Sequence, residues 1–168
     1  MERLADALRL RLTDLAEPRA RALIVGELDK FNEDRTGVAH STPLDVLLVD
    51  ATDAVVGGIV GRTSLGVLFV DYFYVPASLR GQGLGRRALA AAEDEAVRRG
   101  CREALLFTMQ IQAPGFYERC GYEIFGRVAC DPPGNARVFM RKALTAAGSN
   151  LRCERPSSHL GENPDAPR

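Results

Sequence analysis

The stretch DYFYVPASLRGQGLGRRALAAAEDEA, Asp71 to Ala96, sets aromatic and β-branched residues, a turn with glycines at 81, 83 and 85, and an alanine-rich run ending in acids in direct succession. That order predicts a strand ending at Val75, a turn nearly free of side chains, and a helix from Leu84 to Arg99. Leu84, Ala88, Ala91, Ala92 and Ala96 recur at helical spacing as a small-residue stripe suited to packing on a sheet, and Gly100 fits a helix stop. The first N–H groups of a helix have no intrahelical partner, so a helix opening out of such a turn offers bare amides to an anion. Glycine permits close approach and unusual φ values there, and Arg80, Arg86 and Arg87 flank the turn where they suit phosphate oxygens.

Working outward, LDVLLVD (Leu44–Asp50), AVVGGIVGRT (Ala54–Thr63) and VLFVDYFYV (Val67–Val75) are β-rich runs joined by the short connections ATD and SLG. They predict an antiparallel meander of three strands. Upstream, Leu8 to Thr13 alternates leucine with polar residues, which predicts a first strand, and Glu17 to Asn32 carries a helical pattern with Pro18 in its first turn. Downstream, EALLFTM (Glu103–Met109) reads as a strand parallel to the one before the glycine turn. PGFYERC is a short helix starting near Pro114, and YEIFGRVA and ARVFMRKAL are two more strands around CDPPGN. Residues 1–145 read as one domain, whereas 146–168, without periodicity and rich in Pro, Ser, Gly and charge, read as a disordered tail.

Equal numbers of acidic and basic residues, 22 of each, give no global field toward nucleic acid or an anionic membrane, so a small-molecule or protein partner is the better expectation. Arginines interrupt the apolar runs of MERLADALRLRL, which excludes a signal-peptide core and a membrane span there and predicts a cytoplasmic protein. Cys101, Cys120, Cys130 and Cys153 form no C-x-x-C pair and lie at no metal-ligand spacing from His40 or His159, so no metal site or disulfide framework is indicated. A Walker loop is disfavoured because no lysine stands near the glycines, and a Rossmann fingerprint because the motif follows an antiparallel meander.

RGQGLG, Arg80–Gly85, resembles the R/Q-x-x-G-x-G/A acetyl-CoA signature of the GNAT superfamily of N-acetyltransferases. Downstream, QIQAPGFYERCGYEIFG resembles that family's N-x-x-A-x-x-x-Y-E-x-x-G-F segment at Ala113, Tyr117, Glu118, Gly121 and Tyr122, with Gln110 in place of asparagine and Tyr122 in place of phenylalanine. The resemblance spans about Leu8 to Leu144. It implies a mixed α/β (α+β) fold: a GNAT-like central, mostly antiparallel sheet of six to seven strands, splayed between strands 4 and 5 and flanked by three to four helices.

It also implies direct acetyl transfer from acetyl-CoA to a primary amine. The cofactor residues implied are Phe73, Tyr74 and Val75 along the pantetheine, Arg80, Gly81, Gln82, Gly83, Leu84, Gly85 and Arg86 around the diphosphate, and Ala113 and Tyr117 beyond it. The matching tyrosine of the family lies beside the sulfur, so Tyr117 is the candidate acid for the leaving thiolate. Asp71 is the sole carboxylate within the central strand; period-two alternation predicts that it shares a face with Phe69, Phe73 and Val75, as a base or an ammonium anchor in apolar surroundings. Three uses stay open: acetylation of a small-molecule amine, acetylation of a protein N-terminus or lysine, and a non-catalytic CoA-binding sensor. The resemblance allows a homodimer.

Overall fold

The computed structural model describes residues 8–38 and 41–145. The chain divides into two compact units, Met1–His40 and Ser41–Arg168. In the first, α1 runs Pro18–Thr36, with proline in its first turn. It continues four residues past the expected end because no breaker occurs before Gly37, which takes the left-handed conformation (φ 69°) and donates its N–H to the Glu33 carbonyl. The strand expected over Leu8–Thr13 is absent. Alternation supplies a face but no ladder partner, and no described strand pairs with this segment.

The second unit is built on a seven-stranded sheet. A two-residue β1 (Thr42–Pro43) and β2 (Val46–Val49) both pair with β3 (Val55–Ser64), which pairs on its other edge with β4 (Val67–Tyr74). The predicted first meander strand, Leu44–Asp50, is thus shortened to β2, with the unpredicted β1 just before it and the Leu44 side chain between the two entering the core. After β4 a single 3₁₀ turn (Ala77–Leu79) and the glycine turn lead into α2 (Leu84–Arg98). Beyond it follow β5 (Glu103–Met109), α3 (Pro114–Arg119), β6 (Glu123–Cys130) and β7 (Asn135–Ala143). The order is β1-β3-β4-β5-β7-β6, with β4 and β5 parallel and every other pairing antiparallel.

α2 buries Ala88, Leu89, Ala92 and Ala96 against β2, β3 and β4. Ala91, expected on this stripe, is exposed, and Leu89 takes the place beside Ala88 and Ala92. The small residues let helix and sheet approach closely, while Leu68, Ile59, Val138 and Met140 fill the space beneath. Farther along, Glu93 of α2 accepts from Lys142 of β7 at 2.6 Å, with both side chains largely buried. The Lys142 ammonium also lies 5.6 Å from the Tyr122 ring centroid. No helix among the described residues is long and apolar enough to cross a membrane.

Two irregularities shape the sheet where it matters for function. The ladder between β4 and β5 covers only Val67–Val70 against Glu103–Leu106, so β4 continues through Tyr74 without β5 beside it. In the same place the β3–β4 register slips between Val60 and Gly61, leaving Asp71 as the extra residue of a bulge. A bulge bends and twists its strand, which turns β4 away from β5 and opens the gap. Gly61 makes the close approach at that bulge feasible, because a Cβ there would lie 2.4 Å from the Phe69 carbonyl oxygen.

Candidate active site

The gap between β4 and β5 widens into a cleft of about 930 Å³ walled by β4, the glycine turn, the start of α2, and α3. Gly81 (φ 75°) and Gly83 (φ 78°) are both left-handed, a conformation that costs an L side chain, and a Cβ at either would meet nothing within 4 Å. Backbone conformation rather than crowding within the protein therefore demands glycine, and the space before the turn is open. Gly83 is the N-cap of α2 and no side chain caps the helix, so the first-turn amides, together with the positive end of the helix dipole, face the cleft unopposed. Arg80 and Arg86 line the same end, Arg80 held by its Nε donating to the Val75 carbonyl at 3.0 Å. Gly85 plays a different part: a Cβ there would lie 3.5 Å from the Phe116 ring, so this position seats α2 on α3.

The opposite wall is aromatic. Phe73 and Phe116 meet edge to face at 6.0 Å between centroids, Phe116 and Tyr117 at 5.0 Å, and Tyr117 and Tyr122 at 5.8 Å. Pro114 starts α3 and its short length lets Tyr117 turn inward from the last turn, where the residue is buried. Burial foremost, and then the neighbouring Cys120, pushes the Tyr117 hydroxyl up to about 12, so it is protonated at neutral pH and serves as a donor. The hydroxyl makes no hydrogen bond with any described residue.

Of the residues expected to bind a cofactor, Phe73, Tyr74, Val75, Arg80, Gly81, Gly83, Leu84, Gly85, Arg86, Ala113 and Tyr117 all line the cleft. Gln82 does not; its side chain turns back and donates to the Ser78 carbonyl at 3.1 Å. Arg87 is likewise not among the lining residues.

Asp71 departs most from expectation. The bulge changes the strand's parity at this residue, so Phe73 faces the core with Ile59 and Val70, whereas Asp71 emerges on the other face beside Phe69. There it forms an ion pair with Arg62, whose guanidinium carbon lies 4.7 Å from the Phe69 ring centroid. The carboxylate thus has a cation rather than an apolar pocket, and it is not part of the cleft wall.

Residues the sequence did not single out complete the wall, chiefly Thr108 and Gln112. Gln112 Oε1 accepts from the Met109 N–H at 3.0 Å and from the Thr108 hydroxyl at 3.1 Å, closing the turn after β5. The signal was a glutamine three residues past the last strand position, ahead of Pro114. Gln110, the motif departure, points elsewhere and accepts from Arg127.

The family model described as Acetyltransferase (GNAT) family matches residues 10–122. The chain belongs to the GNAT acetyltransferase family. An acetyltransferase of Agrobacterium fabrum is 34% identical over 131 residues, covering 78% of this chain and 96% of that protein. The blasticidin-S acetyltransferase of Streptomyces morookaense is 39% identical over 114 residues, covering 66% of this chain and 84% of that protein. A crystal structure described as an acetyltransferase from Agrobacterium tumefaciens superposes with a TM-score of 0.75 at 33% identity, covering 81% of this chain and 99% of that one. As a GNAT acetyltransferase the chain is an acyltransferase, and its splayed mixed sheet with flanking helices is the GNAT-like arrangement.

Proposed function

We propose that this GNAT enzyme binds acetyl-CoA in the β4–β5 cleft and transfers the acetyl group to a primary amine of a small molecule by direct attack. The observation that carries this is the uncapped start of α2, opening through left-handed Gly81 and Gly83 into a cleft that holds Tyr117 on its far wall. The diphosphate lies against the amides of Gly83–Arg86, with Arg80 and Arg86 pairing with its oxygens. The pantetheine runs as an extra strand along Phe73–Val75, whose edge toward β5 has no strand partner. A backbone N–H of β4 then donates to the oxyanion of the tetrahedral intermediate.

The amine attacks the thioester carbonyl, the C–N bond forms, the C–S bond breaks, and the proton lost by the amine is matched by the proton gained by sulfur. Tyr117 donates to that sulfur. A thiol of pKa near ~8.5 is a stronger acid than a hydroxyl held at about 12, so full transfer from tyrosine alone is uphill by roughly 5 kcal/mol. The hydroxyl therefore acts first as a hydrogen bond to the developing thiolate, with the amine's proton completing the exchange. Asp71 lies on the other face of β4 with its charge matched by Arg62, so the attacking amine reaches the thioester in its neutral form without a carboxylate in the cleft wall.

A small-molecule acceptor is favoured over a protein by the relative named for blasticidin-S. A cytoplasmic setting belongs to the same proposal. Release of free thiol from acetyl-CoA across a panel of amines tests it. Turnover with small amines supports it, and a protein that binds acetyl-CoA but never releases thiol contradicts it.

A further inference from the structure

Coenzyme bound as proposed occupies the α2–α3 side of the gap, so the attacking amine approaches from the opposite face of the sheet. This inference rests on that placement of the coenzyme. Beside the gap the opposite face carries Asp71 and Tyr72 on β4, Phe107 on β5 and Arg137 on β7. Pairing of Val70 with Leu106 puts Phe107 across the gap from Asp71, and pairing of Met109 with Arg137 puts Arg137 one strand farther on. Tyr72 is 75% exposed and Phe107 46%, which is far from the buried state usual for large apolar rings on a sheet.

Two arginines stack on aromatic rings of this face, and their charges are treated differently. Arg62 over Phe69 has its carboxylate in Asp71. Arg137, whose guanidinium carbon lies 5.1 Å from the Phe107 ring centroid, has no ion pair with any described residue. Stacking fixes the guanidinium plane while leaving its N–H fork free along the edge, the geometry that takes a carboxylate in two parallel hydrogen bonds. The gap beside Asp71, whose charge Arg62 already matches, and an unmatched cation at Arg137 thus flank one exposed aromatic floor.

We propose that the acceptor is an aminocarboxylate, with its amine at the gap beside Asp71 and its carboxylate on Arg137. β4 and β7 lie on either side of β5, about 10 Å apart at two strand spacings and wider at the splay. Amine and carboxylate therefore sit several bonds apart, as in an ω-amino acid or a larger molecule, and not on one carbon as in an α-amino acid.

The test uses the full chain, acetyl-CoA, and ω-aminoalkanoates of increasing length, each compared with its carboxamide and with the phosphonate analogue, read by thiol release. Acids are expected to exceed their carboxamides in kcat/KM, with an optimum several methylenes long. Arg137→Gln should reduce that preference by about 10- to 100-fold, the loss of a charge-assisted bidentate contact, with acetyl-CoA affinity unchanged. Carboxamides used as well as acids, phosphonates used better than acids, no acid turned over at all, or a preference untouched by Arg137→Gln would each overturn the inference. Calorimetry separates the two levels: failure to bind acetyl-CoA sinks the proposed function itself, whereas binding and turnover of other amines without turnover of acids sinks only the assignment of Arg137.

Discussion

Replacing Tyr117 by phenylalanine removes one oxygen and keeps the ring. The ring carries the packing, through Phe73 at 6.5 Å, Phe116 at 5.0 Å and Tyr122 at 5.8 Å between centroids. Since the hydroxyl bonds to no described residue, its removal leaves no buried partner unsatisfied, and the stability change should stay within about 1 kcal/mol. In the proposed reaction, what is lost is a donor to a sulfur that gains negative charge as the C–S bond breaks. A hydrogen bond to a charged group is worth about 1.5–3 kcal/mol, which corresponds to roughly 10- to 150-fold in the chemical step. Because the bond strengthens only as charge develops, the loss should fall on kcat, with the acetyl-CoA dissociation constant within about threefold of the parent. Single-turnover thiol release isolates that step from product release. An unchanged single-turnover rate would refute the role of Tyr117, and a slow variant whose coenzyme affinity has fallen equally would reassign the residue to binding.

Gly83→Val should abolish measurable acetyl-CoA binding, by placing a β-branched side chain at a left-handed N-cap (φ 78°) and before the amides, and calorimetry with retained affinity would refute the anion site. Gly61→Ala should cost about 1–3 kcal/mol in denaturant unfolding, because the added methyl meets the Phe69 carbonyl oxygen, and an unaltered midpoint would show that the bulge yields freely. Lys142→Met should destabilise by roughly 3 kcal/mol by leaving Glu93 buried without its cation, and Glu93→Leu added to it should recover part of the loss in a double-mutant cycle. The folded state holds the Tyr117 proton more tightly than the unfolded chain does, so its stabilising contribution is intact below pH ~10 and is lost as pH rises toward about 12. Stability measured across that window should therefore fall less steeply in Tyr117→Phe, although the raised Tyr122 hydroxyl adds a fall of its own in both proteins.

Local sequence order was a sound guide where one segment contains its own cause. The glycine turn, α2 and α3 are written in consecutive residues, and β3 and β4 are delimited by the short connections at their ends. Where a feature depends on a partner strand, the pattern ran out. Leu8–Thr13 alternates yet has no ladder, because alternation records a face and not a neighbour. Period two places Asp71 on the face of Phe69, as observed, but the register slip between Val60 and Gly61 reverses the alternation beyond it, so Phe73 falls on the opposite face. Gln112 was passed over because its role is to accept bonds within the turn after β5, which depends on how that turn closes. The glycine-turn end of the cleft was thus legible in one motif, and the opposite face of the sheet was hidden in the pairing of strands distant in sequence.

A crystal structure of the protein with coenzyme A shows most directly where a thioester carrier sits. The diphosphate should rest within hydrogen-bonding distance of the amides of Gly83–Arg86, with the sulfur end reaching toward Tyr117 between β4 and β5. A coenzyme bound anywhere else on the molecule, or crystals that stay empty at saturating coenzyme, would contradict the account.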